Sequence, residues 1–493
     1  MQVPEARGRS FPMKRIIIVG GGFSGTSAAV QLVRRSAAAL DITVVEPREH
    51  LGGGLAYSSD EPDHRLNGQP GMHSPDPADI GMFVRWCDEH GAYAADPAAR
   101  LANGTTFLRR SVFRRFLQET VANHATWPTG SSIRHVRDFA VDVLSGAPVQ
   151  TVVTAGGAAL TCDMVVLAPG HTRARLPASF GTGLADHTRV IVDPLATAQL
   201  PAVAPDERVL VLGSGLTAYD IVSTLLCAGH RGPIDVVSRR GLRPQPQRAP
   251  PAPGAAPLPP MLERLAAPPD AFIRAAGNPP TARALLHALR RQIRTVERAG
   301  ESWDGSFDHL RDMVGQVWPT MAAAEKRRFF RQLRPWYDTH RFRVAPQNAR
   351  IVAAAEERGQ VRFRAANIEG AASDGPDAPL RIALRERRAS VAQASVYDRV
   401  INCTGVDSTH PSAVPLYAAL LGRGMLTVDA SGVGLAVDGR YRAIAQDGSA
   451  AQRLRLIGPP TLGARGDPLG SAFIGIQVYN MIPDLLAVLD IHL

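Results

Sequence analysis

Two α/β units, each built on a parallel sheet, are predicted for this chain of 493 residues. Three observations predict them. A strand–glycine turn–helix–strand pattern occurs twice. Each occurrence is followed by alternating stretches and then by a short apolar run that ends at glycine. A proline-led, helix-rich segment interrupts the second occurrence.

In the first unit Ile16-Ile17-Ile18-Val19 runs into Gly20-Gly21-Gly22-Phe23-Ser24-Gly25, an alanine-rich helix follows, and Val44-Val45 ends at Glu46. This spacing presents a helix N-terminus to a diphosphate. Gly20 permits the tight turn, Gly22 admits the phosphates to the backbone, and Gly25 lets the helix lie close to its strand. Glu46 stands roughly 20 residues on, where an acid accepts hydrogen bonds from ribose hydroxyls. Flanking strand, helix and acid together make the motif far more specific than a lone glycine turn.

In the second unit Val209-Leu210-Val211-Leu212 runs into Gly213-Ser214-Gly215-Leu216-Thr217-Ala218, and Val236-Val237 ends at Ser238-Arg239-Arg240. Ala218 replaces the third glycine, and no acid closes the strand. A carboxylate there would repel a 2′-phosphate, whereas Arg239 and Arg240 can bind one through charge-assisted bonds. This end therefore reads as an NADPH site rather than an NADH site, so the two units are expected to hold different dinucleotides.

The parallel continues beyond the glycine turns. Alternating stretches over 133–143 and 149–154 precede Met164-Val165-Val166-Leu167-Ala168, which ends at Pro169-Gly170. In the second unit Val361-Arg362-Phe363-Arg364 and Leu380-Arg381-Ile382-Ala383-Leu384 precede Val400-Ile401-Asn402-Cys403, which ends at Thr404-Gly405. Period-two alternation marks half-exposed strands, and apolar runs before glycine mark buried parallel ones. A third turn at 454–458, ending at Gly458 before Pro459-Pro460, leads to an apolar segment at 472–478 read as a closing helix.

On these motifs the chain resembles the two-dinucleotide-binding-domain flavoproteins. Within them it is most similar to the bacterial FAD/NAD(P)-binding proteins related to flavin-containing and N-hydroxylating monooxygenases. The resemblance implies FAD on the first unit, at Gly20, Gly22, Phe23, Ser24, Gly25, Glu46, Gly170 and Gly458. It implies NADPH on the second, at Gly213, Gly215, Leu216, Thr217, Ser238, Arg239 and Arg240. Leu66-Asn67-Gly68-Gln69-Pro70-Gly71-Met72 resembles the loop these enzymes place beside the flavin, so Asn67 is the expected catalytic neighbour of the isoalloxazine. Gly52-Gly53-Gly54-Leu55-Ala56-Tyr57 resembles the loop under the flavin ring. Phe180, Gly183 and His187 match an FxGxxxH signature in part; Phe180 is one position too far away and no aromatic closes the motif. After the third turn the chain reads Arg465-Gly466-Asp467-Pro468-Leu469-Gly470, a departure from the usual ending.

The expected organisation is a flexible extension at 1–13, an FAD domain at 14–190 and 408–493, and an NADPH domain at 191–407. The last contains a helical insertion at about 244–345. Within the insertion 244–260 is proline-rich, and helical periodicity covers 281–299, 307–318 and 321–333. Arg341 and Arg343, interleaved with aromatics after the last of these, are candidates for holding a carboxylate-bearing substrate or the NADPH phosphates, the alternative being a packed helix end.

Composition narrows the alternatives. The net charge of +10, from 55 basic and 45 acidic side chains, accompanies no nucleic-acid motif, so phosphate-bearing cofactors explain it more simply than nucleic acid does. Four scattered cysteines form no CxxC pair, which argues against a metal site and a redox disulfide and fits a reducing compartment. No segment reads as a signal peptide or bilayer span, so a cytosolic address without a membrane partner is expected. The oligomeric state stays open.

The resemblance implies a monooxygenase that uses FAD, NADPH and molecular oxygen, working through a C4a-hydroperoxyflavin to hydroxylate the nitrogen of a small amine or amino acid. A flavin reductase or dehydrogenase without oxygen transfer is the enzyme alternative, and a flavin-bound sensor the non-enzymatic one.

Overall fold

The computed structural model describes residues 13–493 except Ala147, Arg173, Thr182, Ala196, 248–258 and 407–409. The N-terminal extension up to residue 12, most of the proline-rich stretch and the 407/408 boundary therefore lie outside the described residues.

The apolar runs form two separate sheets. The first contains β1 (Lys14–Val19), β2 (Leu40–Val45), β3 (Ser132–Val136), β7 (Met164–Leu167), β15 (Arg442–Ile444) and β16 (Ala450–Leu456), in the order β15-β16-β7-β1-β2-β3. All neighbours are parallel except the edge pair β15–β16. A three-stranded meander of β4 (Ala140–Ser145), β5 (Gln150–Thr154) and β6 (Ala159–Cys162) stands beside it. The second sheet contains β8 (Val190–Ile191), β9 (Val209–Leu212), β10 (Ile234–Ser238), β11 (Val361–Ser373), β12 (Leu380–Glu386), β13 (Gln393–Tyr397) and β14 (Arg399–Asn402). Its order is β13-β12-β11-β10-β9-β14-β8.

Two strand readings change. The alternating run at 133–143 is two strands: β3 joins the parallel sheet, and the chain turns at 137–139 before the meander. In the second unit one strand does both jobs. The first part of β11, up to Ala365, pairs parallel with β10, and from Ala366 onward it pairs antiparallel with β12, with a register irregularity between Ile368 and Gly370.

The two glycine turns are built alike in detail. Gly20 N–H donates to Val45 O at 2.8 Å, and Gly213 N–H to Val237 O at 2.8 Å. Gly20 and Gly213 have φ of +100° and +93°. A Cβ on Gly20 would lie 2.3 Å from Ala168 O, and one on Gly213 would lie 2.3 Å from Cys403 O. In each unit the strand that returns after the meander therefore crosses the turn at a distance only glycine tolerates. Gly25 is equally constrained, since its Cβ would meet Gly20 O at 1.8 Å.

Helix Phe23–Arg35 covers one face of the first sheet and packs against the C-terminal helix Ser471–Val488. The closing helix is far longer than the segment read at 472–478. It is also long and apolar enough to cross a membrane by length and composition, contrary to expectation. Half of it is buried, and Val478, Met481, Ile482 and Leu485 join Ile16, Ile18 and Leu32 in the core, which accounts for its apolar character.

The insertion helices are Met261–Ala266, Ala271–Arg274, Ala282–Arg298, Trp303–Asp312, Val314–Val317 and Ala323–Arg328; a π turn at Phe329–Leu333 then leads into Arg334–Arg341. Thr281 caps Ala282–Arg298 by accepting from Ala284 N–H at 3.1 Å. Trp318 docks the insertion on the C-terminal turn, donating from Nε1 to Gly463 O at 2.7 Å.

Arg455, with no exposed surface, is held by Asp484 at 2.7 Å and by Gln452 O at 2.8 Å. Removing one partner of a buried ion pair leaves an uncompensated charge. Asp484→Ala is expected to lower unfolding free energy by about 3–5 kcal/mol in denaturant melts; a change within error would show that Arg455 finds another partner.

Candidate functional site

The carboxyl ends of the parallel strands gather the first set of candidates. Gly20–Gly25 follow β1, Glu46 follows β2, Gly170 and His171 follow β7, and Gly458 follows β16. Ligands of open parallel sheets lie outside these strand ends. Helix Phe23–Arg35 begins at Gly22 with no side-chain cap and no acid in its first turn, so its N-terminal amides and positive dipole end are available to an anion. Gly458 (φ +77°) rests on Ser24, where a Cβ would lie 2.6 Å from Ser24 Oγ, and Gly458 N–H donates to Gln477 Oε1 at 2.9 Å. Gly22 faces Gly54: a Cβ on Gly22 would come 3.2 Å from Gly54 Cα. The loop at 52–57 thus covers the glycine turn.

Glu46 is buried. Its Oε2 accepts from Gly21 N–H at 2.8 Å and its Oε1 from Arg48 Nη1 at 2.9 Å. In the second unit Ser238 occupies the corresponding strand end. Ser214 Oγ donates to Ser238 Oγ at 2.8 Å, so a neutral hydroxyl pair replaces the amide–carboxylate link. Helix Leu216–Cys227 also begins uncapped, at Gly215, where a Cβ would meet nothing within 4 Å. Arg239 is exposed and Arg240 half-buried; among the described residues neither forms an ion pair. The second strand end thus keeps its positive charge, and Leu216 and Thr217 stand in the open first turn.

Asn67 lies at the joint between the units. Its carbonyl accepts from Gln247 Nε2, which follows the second unit's strand end, and its side chain is half-exposed. Beside it, His73 Nδ1 lies 2.7 Å from Ser471 Oγ and Nε2 lies 3.3 Å from Gly68 O. Burial pushes the imidazole down to about 4, so it is neutral at pH 7. The Tyr57 phenol, also bonded to Ser471, is pushed up to about 12 by burial. Phe23 and Tyr57 pack on Phe113, with centroids 6.0 and 4.9 Å away. Aromatic rings and a neutral imidazole thus line this stretch, and the nearby Arg110, which donates to the carbonyls of Arg65 and Ala56, bears on the Tyr57 phenol.

The two proposed substrate arginines are occupied. Arg341 Nε donates to Asp467 Oδ2 at 2.6 Å and Nη2 to Leu469 O at 3.1 Å; Arg343 Nη2 pairs with Asp308 Oδ1 at 2.9 Å. Both are mostly buried, so their charge is spent on tying the insertion together and to the C-terminal turn. Tyr337, which was not singled out, donates to the same Asp467 oxygen at 3.0 Å. Asp467 lay in view as the acid of an unusual ending, but its partners are more than a hundred residues away. In the same cluster burial raises Asp338 to about 6, with Arg334 opposing the shift and Asp467 adding to it. Burial, reinforced by Arg334, lowers His171 to about 4.

His187 accepts from Arg189 N–H through Nδ1, and Nε2 contacts Ser373 Oγ at 3.0 Å and Gly375 O at 2.9 Å, while Phe180 is core. Both have structural partners. Among the described residues there is no group of three His, Cys, Asp or Glu able to hold a metal, and all four cysteines are free.

The joint also carries a buried polar link. Asp220, on the second unit's helix, accepts from Arg110 Nη2 at 2.6 Å and from Asn348 Nδ2 at 3.3 Å. Burial raises its carboxyl to about 6, with Arg110 opposing the shift. The folded value exceeds the ordinary 3.8, so the folded state binds more protons between about pH 4 and pH 6. Stability from this group therefore falls as pH rises through that window. The stability difference between wild type and Asp220→Asn, measured in denaturant at each pH, is expected to move against wild type from about pH 4 to pH 6; a flat difference would mean that Asp220 titrates normally.

Comparison with known proteins agrees with this geometry. Residues 17–172 match a family model described as FAD-NAD(P)-binding. No curated protein matches the sequence. Among solved structures, an ornithine N-hydroxylase of Kutzneria sp. 744, with reduced FAD, NADP⁺ and L-ornithine, superposes with TM-score 0.64 at 17% identity, covering 97% of this chain and 99% of that one. An L-lysine 6-monooxygenase of Pseudomonas syringae gives 0.65 at 15% identity, over 96% and 99%. The cadaverine monooxygenase of Erwinia amylovora, bound to FAD, gives 0.62 at 12% identity, over 97% and 95%. The chain as a whole has the fold shared by these three enzymes.

Proposed function

We propose that this chain is an FAD- and NADPH-dependent monooxygenase that hydroxylates the nitrogen of a small amine or amino acid. The observation that carries the reading is the duplicated glycine turn with opposite electrostatics, closed by Glu46 in one unit and by Ser238, Arg239 and Arg240 in the other. FAD would lie along Gly20, Gly22, Phe23, Ser24, Gly25, Glu46, Asn67, Gly170 and Gly458. NADPH would lie along Gly213, Gly215, Leu216, Thr217, Ser238, Arg239 and Arg240. Bound flavin supplies the chemistry of accepting a hydride and activating oxygen.

The protein's own part is binding, orientation and exclusion of water. The uncapped helix ends hold the diphosphates. The Asn67 amide, at the joint where the two cofactors would meet, orients the flavin's reactive edge. Phe23, Tyr57 and Phe113 keep the surroundings dry. The neutral His73 holds its proton on Nε2 toward Gly68 O and accepts from Ser471 O–H at Nδ1. His73 itself then adds no positive charge beside Asn67. An amine is favoured as substrate because the structurally similar enzymes carry the names of ornithine, lysine and cadaverine. Arg341 and Arg343 do not serve as the carboxylate clamp, since Asp467 and Asp308 already neutralise them.

The reading is tested by turnover of FAD-loaded protein with NADPH, labelled oxygen gas and a panel of diamines and basic amino acids. One labelled oxygen in a hydroxylamine product is expected; NADPH oxidation that yields only peroxide across the panel would contradict it. Arg239→Gln/Arg240→Gln is expected to raise half-saturation for NADPH about tenfold or more while leaving NADH unchanged. Equal effects on both nucleotides would remove the 2′-phosphate from the account.

A further inference from the structure

The helical insertion encloses a cavity of about 350 Å³, within the range of small-molecule sites. Leu285, Leu289, Phe307, Val314, Trp318 and Phe329 form most of its wall. Among the described residues no carboxylate lines it. Its polar groups divide clearly. The Tyr337 hydroxyl is bonded to Asp467, and His340 is bonded through Nδ1 to Trp336 O at 2.8 Å while stacking on Phe307. Arg290 is different. It lines the cavity, is exposed, and among the described residues has no ion-pair partner. Trp336, the other exposed lining residue, stands at 49% exposure.

Local structure keeps the cavity open. Helix Ala282–Arg298 is strongly amphipathic, and its apolar stripe of Leu285, Leu286, Leu289 and Ile293 faces the cavity. Arg290 lies one turn after Leu286 on the same side. Across from it the π turn Phe329–Leu333 widens the helix and contributes Phe329 and Leu333 to the wall; such turns are frequent at functional sites. Gly466 (φ +81°) closes the floor, with Trp318 so close that a Cβ would lie 2.7 Å from its ring. An apolar chamber with one unpaired guanidinium at its mouth complements an apolar molecule with one anionic end.

We propose that this cavity binds an apolar carboxylate, of medium alkyl chain or aromatic body, with the carboxylate on Arg290 and the body between the Ala282–Arg298 helix and the Trp318 and Phe307 rings. The proposal rests on the cavity's geometry and holds whether or not the flavin reading does.

The test titrates octanoate, decanoate and dodecanoate into FAD-loaded protein, following tryptophan fluorescence and heat, with decanol and decylamine as controls. Saturable binding of decanoate in preference to decylamine is expected. Arg290→Gln, at an exposed position, should weaken decanoate about tenfold and leave decanol unchanged. Leu286→Glu places a carboxylate one turn from Arg290 and should weaken decanoate likewise by occupying the guanidinium. Unchanged FAD content and melting temperature verify that both variants fold. No saturable binding of any probe, tighter binding of decylamine, or indifference of decanoate to both variants would overturn the proposal. Binding only to vesicles of anionic phospholipid, with none of monomeric decanoate, would also overturn it and point to the arginine face of the helix as a lipid contact.

Discussion

Two backbone crossings organise this protein. In each unit the strand that returns after the meander passes its carbonyl, Ala168 O or Cys403 O, over the glycine that ends the first strand, so closely that no side chain fits. That contact fixes where the helix begins relative to the sheet. It therefore sets the direction in which uncapped amides and the dipole point. Gly170 and Gly405 follow these strand ends and Gly458 follows β16, the neighbour of β7, which is why the candidate binding residues converge although they are scattered along the chain.

The units are joined by few polar contacts. Gln247 reaches Asn67, Gln347 reaches the carbonyls of Ala98 and Ala99, and Asn348 and Arg110 meet on Asp220. These hydrogen bonds specify the orientation of the joint. The insertion is held differently. Trp318 packs on the C-terminal turn, and Asp467 gathers Tyr337 and Arg341 in a buried cluster. Charges that look available in the sequence are consumed in this docking, whereas Arg239, Arg240 and Arg290 keep theirs.

What was legible in the sequence is what local chemistry decides. A glycine at positive φ, a run of β-branched residues before it and an acid or arginine after the second strand are features of a few consecutive residues. What was not legible depends on distant partners. The fate of Arg341 is set by Asp467, 126 residues away, and alternating arginines and aromatics fit a substrate clamp as well as a docking helix. The break at 137–139 follows from β3 joining the main sheet, which alternation cannot reveal. The apolar length of Ser471–Val488 reflects burial against Phe23–Arg35 across almost the whole chain. The cavity is walled in part by the π turn and Gly466, neither of which has a sequence signature of its own.

The most direct test of two different dinucleotide sites on one chain is an anaerobic spectroscopic titration of the FAD-loaded protein with NADPH and NADH. The account predicts one FAD per chain and full bleaching of the flavin by NADPH, at much lower concentration than by NADH. A protein that binds no FAD, or one whose flavin is not reduced by NADPH, would contradict it.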